Sequence, residues 1–85
     1  MPLLDVVEVQ VIGEYQLLLT FENQEQRIFD MRPYMESPPW SGLKHGGEFK
    51  KAHIHMGTVA WPGQIDIDPE TLYELSVATE VESAL

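Results

Sequence analysis

The chain has no cysteine, only 5 lysine and arginine residues in 85, and no apolar run long enough to span a bilayer. Each shortage removes a class of function. Without a thiol there is no disulfide, thiolate zinc site or cysteine nucleophile, a composition compatible with a reducing cytosol. Nucleic-acid phosphates demand clustered cations, and the single basic grouping is Lys44, His45, Lys50, Lys51, His53 and His55. Direct nucleic-acid binding is therefore disfavoured. The start Met1-Pro2-Leu3-Leu4-Asp5 lacks the basic then apolar layout of a secretion signal, and no membrane association is expected. The expected location is cytoplasmic.

What is abundant is negative charge: 14 Asp and Glu leave a formal net charge of −9. Such a surface suits a basic protein partner, because opposite fields speed encounter and fix orientation. The same surface also promotes solubility by itself, and both readings stand. With 44% hydrophobic and 22% charged residues, the composition is that of a folded globular chain. Residues 1–85 are read as a single domain, with one small core burying roughly 60–65% of the surface the unfolded chain exposes.

Leu3 to Ile12 alternates, with Val7, Val9 and Val11 on one side and Glu8 and Gln10 on the other, which predicts a half-buried strand. Gly13-Glu14 turns the chain into Tyr15–Phe21, whose Tyr15, Leu17, Leu19 and Phe21 share a face, so an antiparallel hairpin is expected. Leu18 interrupts the polar face, a sign that part of that side is also covered. After the polar turn 22–25, Gln26 to Met31 resumes strand character with Ile28 opposed to Phe29 and Met31. From Arg32, Pro33, Pro38, Pro39, Gly42, Gly46 and Gly47 forbid long elements, yet Tyr34, Met35, Trp40, Leu43 and Phe49 anchor the segment to a core. Glu48 to Lys51 is expected as one helical turn. Ala52 to Met56 and Thr58 to Trp61 follow as strands about Gly57.

Residues 59–73 then run through an apolar strand and a tight turn into a helix. Asp68 can accept from free N–H groups of the first helical turn, Pro69 suits the first helical position and Glu70 faces the positive end of the dipole. Leu72, Leu75 and Ala78 or Thr79 recur at helical spacing toward the core, with fraying expected from Glu80 to Leu85. The fold class is α+β: a small antiparallel meander sheet of about four to six strands, an irregular Pro/Gly-rich middle and a C-terminal helix.

The order Phe29-Asp30-Met31-Arg32-Pro33-Tyr34, then Trp40-Ser41-Gly42-Leu43, then Phe49, and finally Trp61, Pro62, Asp66, Asp68, Pro69, Leu72 and Tyr73 resembles the bacterial domain of unknown function 2442 family over nearly the whole chain. The chain departs from the family pattern at Gln64, where members commonly carry glycine, a residue that accepts a positive φ glutamine resists. The resemblance implies a compact α+β domain and no established activity. Some relatives join it to a DNA-binding helix-turn-helix, and others are encoded beside small basic proteins, an arrangement similar to toxin and antitoxin pairs.

Several residue sets are candidate sites. His53 and His55 share a strand face, as two metal ligands would, with His45, Asp66 or Asp68 as third ligand, but solvated surface histidines follow the same pattern. Asp66 and Asp68 form a carboxylate pair by spacing, whereas capping and turn roles account for both. Ser37, Ser41 and Thr58 belong to no triad spacing, and Gly46-Gly47 is not a phosphate loop. Tyr34, Trp40 and Pro38-Pro39 are read either as an exposed contact edge or as cover for the sheet. The first strand or the His53 strand can pair with a second copy. The expected function is an acidic interaction or regulatory module, antitoxin-like toward a small basic protein, using Tyr34 and Trp40 for contact and Glu8, Glu22 and Glu25 for charge. The alternatives are a small metal-dependent enzyme using His53, His55 and Asp66, and a transcription-linked regulator acting through a partner. No cofactor is expected.

Overall fold

Alternating apolar residues bury one face of the first strands. In the computed structural model, which describes residues 4–79, β1 (Val6–Ile12), β2 (Gln16–Phe21) and β3 (Gln26–Asp30) form the expected antiparallel meander. Leu17, Leu19, Phe21 and Phe29 are buried, as a period of two residues requires. β1 departs from strict alternation. Its register shifts between Val6 and Glu8, so Val6 is buried and Val7 is 48% exposed. The extra residue of this bulge carries Val7 away from the face it was expected to share with Val9 and Val11.

The proline- and glycine-rich middle folds as three short 3-10 segments, Arg32–Tyr34, Trp40–Lys44 and Glu48–Lys51. Met31, Met35, Leu43 and Phe49 are buried beneath it. Side chains thus hold down a backbone whose own hydrogen bonds run for only a turn at a time. The chain then enters β4 (His53–His55), β5 (Thr58–Trp61) and β6 (Ile65–Ile67), a separate three-stranded sheet. Trp61 is buried, its indole N–H donates to the Phe49 carbonyl at 3.0 Å, and its ring stacks on Phe49 at 5.7 Å. The buried Thr58 hydroxyl donates to the Ile67 carbonyl across β5 and β6.

The architecture corrects the single meander: the sheets are β1-β2-β3-β7 and β4-β5-β6, with β7 being Val77–Ala78. The 3-10 segments lead the chain from β3 to the opposite edge, where β4 runs beside β1. There the Val6 N–H donates to the Gly57 carbonyl at 2.8 Å. Gly57 has φ +81°, and a Cβ on it would lie 2.7 Å from the Asp5 carboxyl. The left-handed backbone favours glycine here, and the exposed Asp5 carboxyl would have to move to admit a Cβ.

The helix α1 (Pro69–Leu75) starts where expected. Asp68 Oδ2 accepts from the Thr71 N–H at 3.0 Å and Oδ1 from its hydroxyl at 2.8 Å. Its end corrects the sequence expectation. Leu72 is fully buried, but Leu75 is 59% exposed, and Ser76 is already extended at φ −85°, ψ 165°. The chain continues as β7, pairing Ala78 with Arg27 and Val77 with Ile28. The cause is a tertiary clamp: Arg27 Nε donates to Ser76 Oγ at 2.6 Å and Nη2 to the Ser76 carbonyl at 2.8 Å. The fraying expected from Glu80 to Leu85 lies outside the described residues.

Candidate functional site

Cross-strand register gathers the ionisable candidates on the outer face of the three-stranded sheet. His53 pairs with Ala60 and Ala60 with Asp66, and residues directly opposite one another share a face. His53 and Asp66 therefore flank a small alanine, with His55 two residues along on the same side. These three line a depression of about 340 Å³ together with Gln64. His53 Nδ1 lies 3.0 Å from the Lys51 carbonyl oxygen. A carbonyl only accepts, so the contact is a hydrogen bond when the proton sits on Nδ1. Among the described residues no group of three or more His, Asp or Glu side chains is placed to hold a metal ion. Asp68 is committed to the helix cap, and that bonding holds its carboxyl below the usual carboxylate range, Thr71 N–H first and Thr71 hydroxyl second. His45 is exposed after the Trp40–Lys44 segment and is not among the residues lining the depression.

Tyr34 and Trp40 pack against the core while remaining partly exposed. The Tyr34 ring sits 5.5 Å from Phe29, and Trp40 stands edge-on to Tyr34 at 5.6 Å. Both are half-buried against the core. The Trp40 indole N–H donates to the Asp66 carbonyl at 3.2 Å, which ties the 3-10 segment to β6.

The three candidate glutamates differ. Glu8 is exposed on β1 opposite Thr20, and Glu22 is exposed with Oε2 accepting from the Asp5 N–H at 3.1 Å. Glu25 is drawn into the fold. Its carboxyl accepts from the Tyr73 hydroxyl at 2.8 Å and from Asn23 at 3.1 Å, and lies 2.7 Å from Arg27 Nη1. These bonds, that of Tyr73 foremost, hold the Glu25 carboxyl below its usual range, while Glu25 raises the Tyr73 phenol. The Arg27 guanidinium also lies over the Tyr73 ring at 4.5 Å. Sequence reasoning missed Arg27 and Ser76 as partners because they stand 49 residues apart. The one available sign is a lone arginine within an alternating strand.

The pairing of charge is local. Arg27, Arg32, Lys44 and Lys51 lie within 2.7, 2.8, 3.1 and 3.2 Å of Glu25, Asp30, Glu36 and Glu48. Four of the 5 cations are thereby committed to carboxylates close to them in sequence. Arg32 holds the Asp30 carboxyl below its usual range, side-chain bonding first and the Arg32 backbone N–H second. Glu8, Glu22, Asp66 and Glu74 make no ion pair among the described residues.

The turn after Trp61 and Pro62 holds a further correction. Gly63 has φ 90° and Gln64 φ 64°, so glutamine adopts the left-handed conformation it was expected to resist. That conformation costs about 1–2 kcal/mol for an L-residue. The pairing of Trp61 with Ile65 fixes the ends of the turn and imposes it. Leu72 fills the core, and Tyr73 meets Phe21 edge-on at 5.1 Å, so the signature residues from Trp61 to Tyr73 shape the hairpin, the cap and the helix.

Neither a search of curated proteins nor one of solved structures found a match. The model of the family described as protein of unknown function DUF2442 matches residues 6–78, from the first residue of β1 to the last of β7. The chain belongs to the DUF2442 family of proteins of unknown function.

Proposed function

We propose that this protein is an acidic protein-interaction module, the regulatory or antitoxin-like member of a pair whose other member is a small basic protein. The observation that carries this reading is the local consumption of cations. Four of the 5 lysines and arginines are paired with neighbouring carboxylates, so the net charge of −9 is expressed at unpaired surface carboxylates such as Glu8 and Glu22. Surface pairs of this kind add little stability, whereas an uncompensated field steers a cationic partner. Tyr34, Trp40 and Glu25 serve that role indirectly, by holding the chain in shape.

The test is affinity capture from lysate of the cells that make the protein, beside the Glu8→Lys/Glu22→Lys variant. One basic protein should be retained at about 0.1 M salt and released at about 0.5 M, where screening shortens the reach of charge, and the variant should not retain it. A folded, abundant chain that retains no basic protein would overturn the reading. A metal-dependent enzyme using His53, His55 and Asp66 is the second reading. Its one support is the His53 Nδ1 bond to a backbone carbonyl, the arrangement by which proteins orient histidine ligands; against it, His53, His55 and Asp66 are not grouped to hold an ion. Stoichiometric zinc or manganese in the purified protein, lost in His53→Ala/His55→Ala, would support it, and metal-free protein would remove it.

A further inference from the structure

The outer face of the four-stranded sheet carries an apolar row. Leu18 on β2 stands opposite Ile28 on β3, and Ile28 opposite Val77 on β7. Leu18 and Ile28 are half-buried and Val77 is 68% exposed. They line a depression of about 590 Å³, which shares Leu18 and Gln26 with one of about 500 Å³ where β1 meets β4. That depression shares His53 with the one over His55 and Asp66. Through these shared residues the three adjoin as a trough across both sheets, strongly apolar at β7 and mixed toward β4 and β6.

Its charge is one-sided. Among the described residues Asp30, Glu8 and Asp66 line it, and no lysine or arginine does. Arg32 offsets Asp30 from outside the lining, which leaves Glu8 and Asp66 uncompensated. From this combination we infer that the trough seats a cationic amphipathic segment of the partner, its apolar side chains on Leu18, Ile28 and Val77 and its lysines or arginines against Glu8 and Asp66. The inference rests on the acidic-module reading above and adds the face and the chemistry of the bound segment. A second copy fits poorly, because it would face Glu8 and Asp66 with another chain of charge −9, and like charges across an interface are costly. Anionic lipid is repelled for the same reason.

The full chain, labelled with nitrogen-15, is titrated with two synthetic peptides of equal charge, one an amphipathic leucine–lysine sequence and the other with every leucine replaced by serine. The leucine–lysine peptide should bind more tightly and shift resonances of Glu8, Leu18, Ile28, His53 and Val77. Glu8→Lys and Val77→Asp should each weaken it by about tenfold, the change a lost central contact brings. Glu74→Lys, an exposed helix position outside the trough, makes the same charge change and should alter affinity by less than about twofold. Well-dispersed spectra of each variant establish that it folds. Equal binding of both peptides, weakened equally by Glu8→Lys and Glu74→Lys, would overturn the trough and leave the acidic module standing. Binding of neither peptide would count against both. A dimer of the free chain that dissociates in Val77→Asp would make a second copy the occupant and overturn the inference.

Discussion

Gln64 stands in a left-handed conformation at φ 64°, a cost that glycine would not bear. Gln64→Gly should raise stability by about 0.5–1 kcal/mol, less than the full relief because glycine loses more freedom on folding. A shift of the urea midpoint upward would show it, and a shift downward would mean that the glutamine side chain holds the turn. Asp68 works in the other direction. Its carboxyl accepts from both the N–H and the hydroxyl of Thr71, and Asp68→Ala should cost about 1 kcal/mol at neutral pH. Because the folded chain holds that carboxyl below its usual range, the stabilisation is present above the unfolded value and is lost as pH falls through the folded one. The gap between wild type and Asp68→Ala should therefore narrow on acidification. A gap that stays constant in acid would show that the charge of Asp68 contributes nothing.

At the scale of elements, β7 exists because a tertiary contact overrides local periodicity. Leu72, Leu75 and Ala78 are spaced as a helix, but Arg27 holds Ser76 at 2.6 and 2.8 Å and turns the next residues onto β3. Arg27→Ala leaves the Ser76 carbonyl without this donor and removes the Glu25 ion pair, at an expected cost of about 2–3 kcal/mol. Hydrogen exchange at Val77 and Ala78 should become fast in this variant while β1 and β2 stay protected. Retained protection of β7 would show that strand pairing alone suffices. The same contrast explains what the sequence disclosed. The first hairpin and the start of α1 were legible, since alternation in Leu17, Leu19 and Phe21 and the Asp68-Pro69 pair are local signals. β6 and β7, with three and two residues, are too short for a period to register. The bulge at Val7 was hidden because its cause is the register with Phe21.

Across the whole molecule, charge was legible in composition, and Glu8 and Glu22 were found as exposed carboxylates. Leu18 already stood out as an apolar residue on a polar face, but its alignment with Ile28 and Val77 depends on a strand absent from the sequence expectation. Glu25 looked like its neighbours and is held against the fold at the surface by Tyr73, 48 residues away. The functional account thus turns on one face, formed where two sheets adjoin. It is tested most directly by nuclear magnetic resonance mapping of the labelled chain with the basic protein that the proposed capture experiment should yield. The account predicts shifts clustered at Glu8, Leu18, Ile28, His53 and Val77, with α1 unchanged. Shifts confined to Tyr34, Trp40 and the surface between them, or to α1, would contradict it.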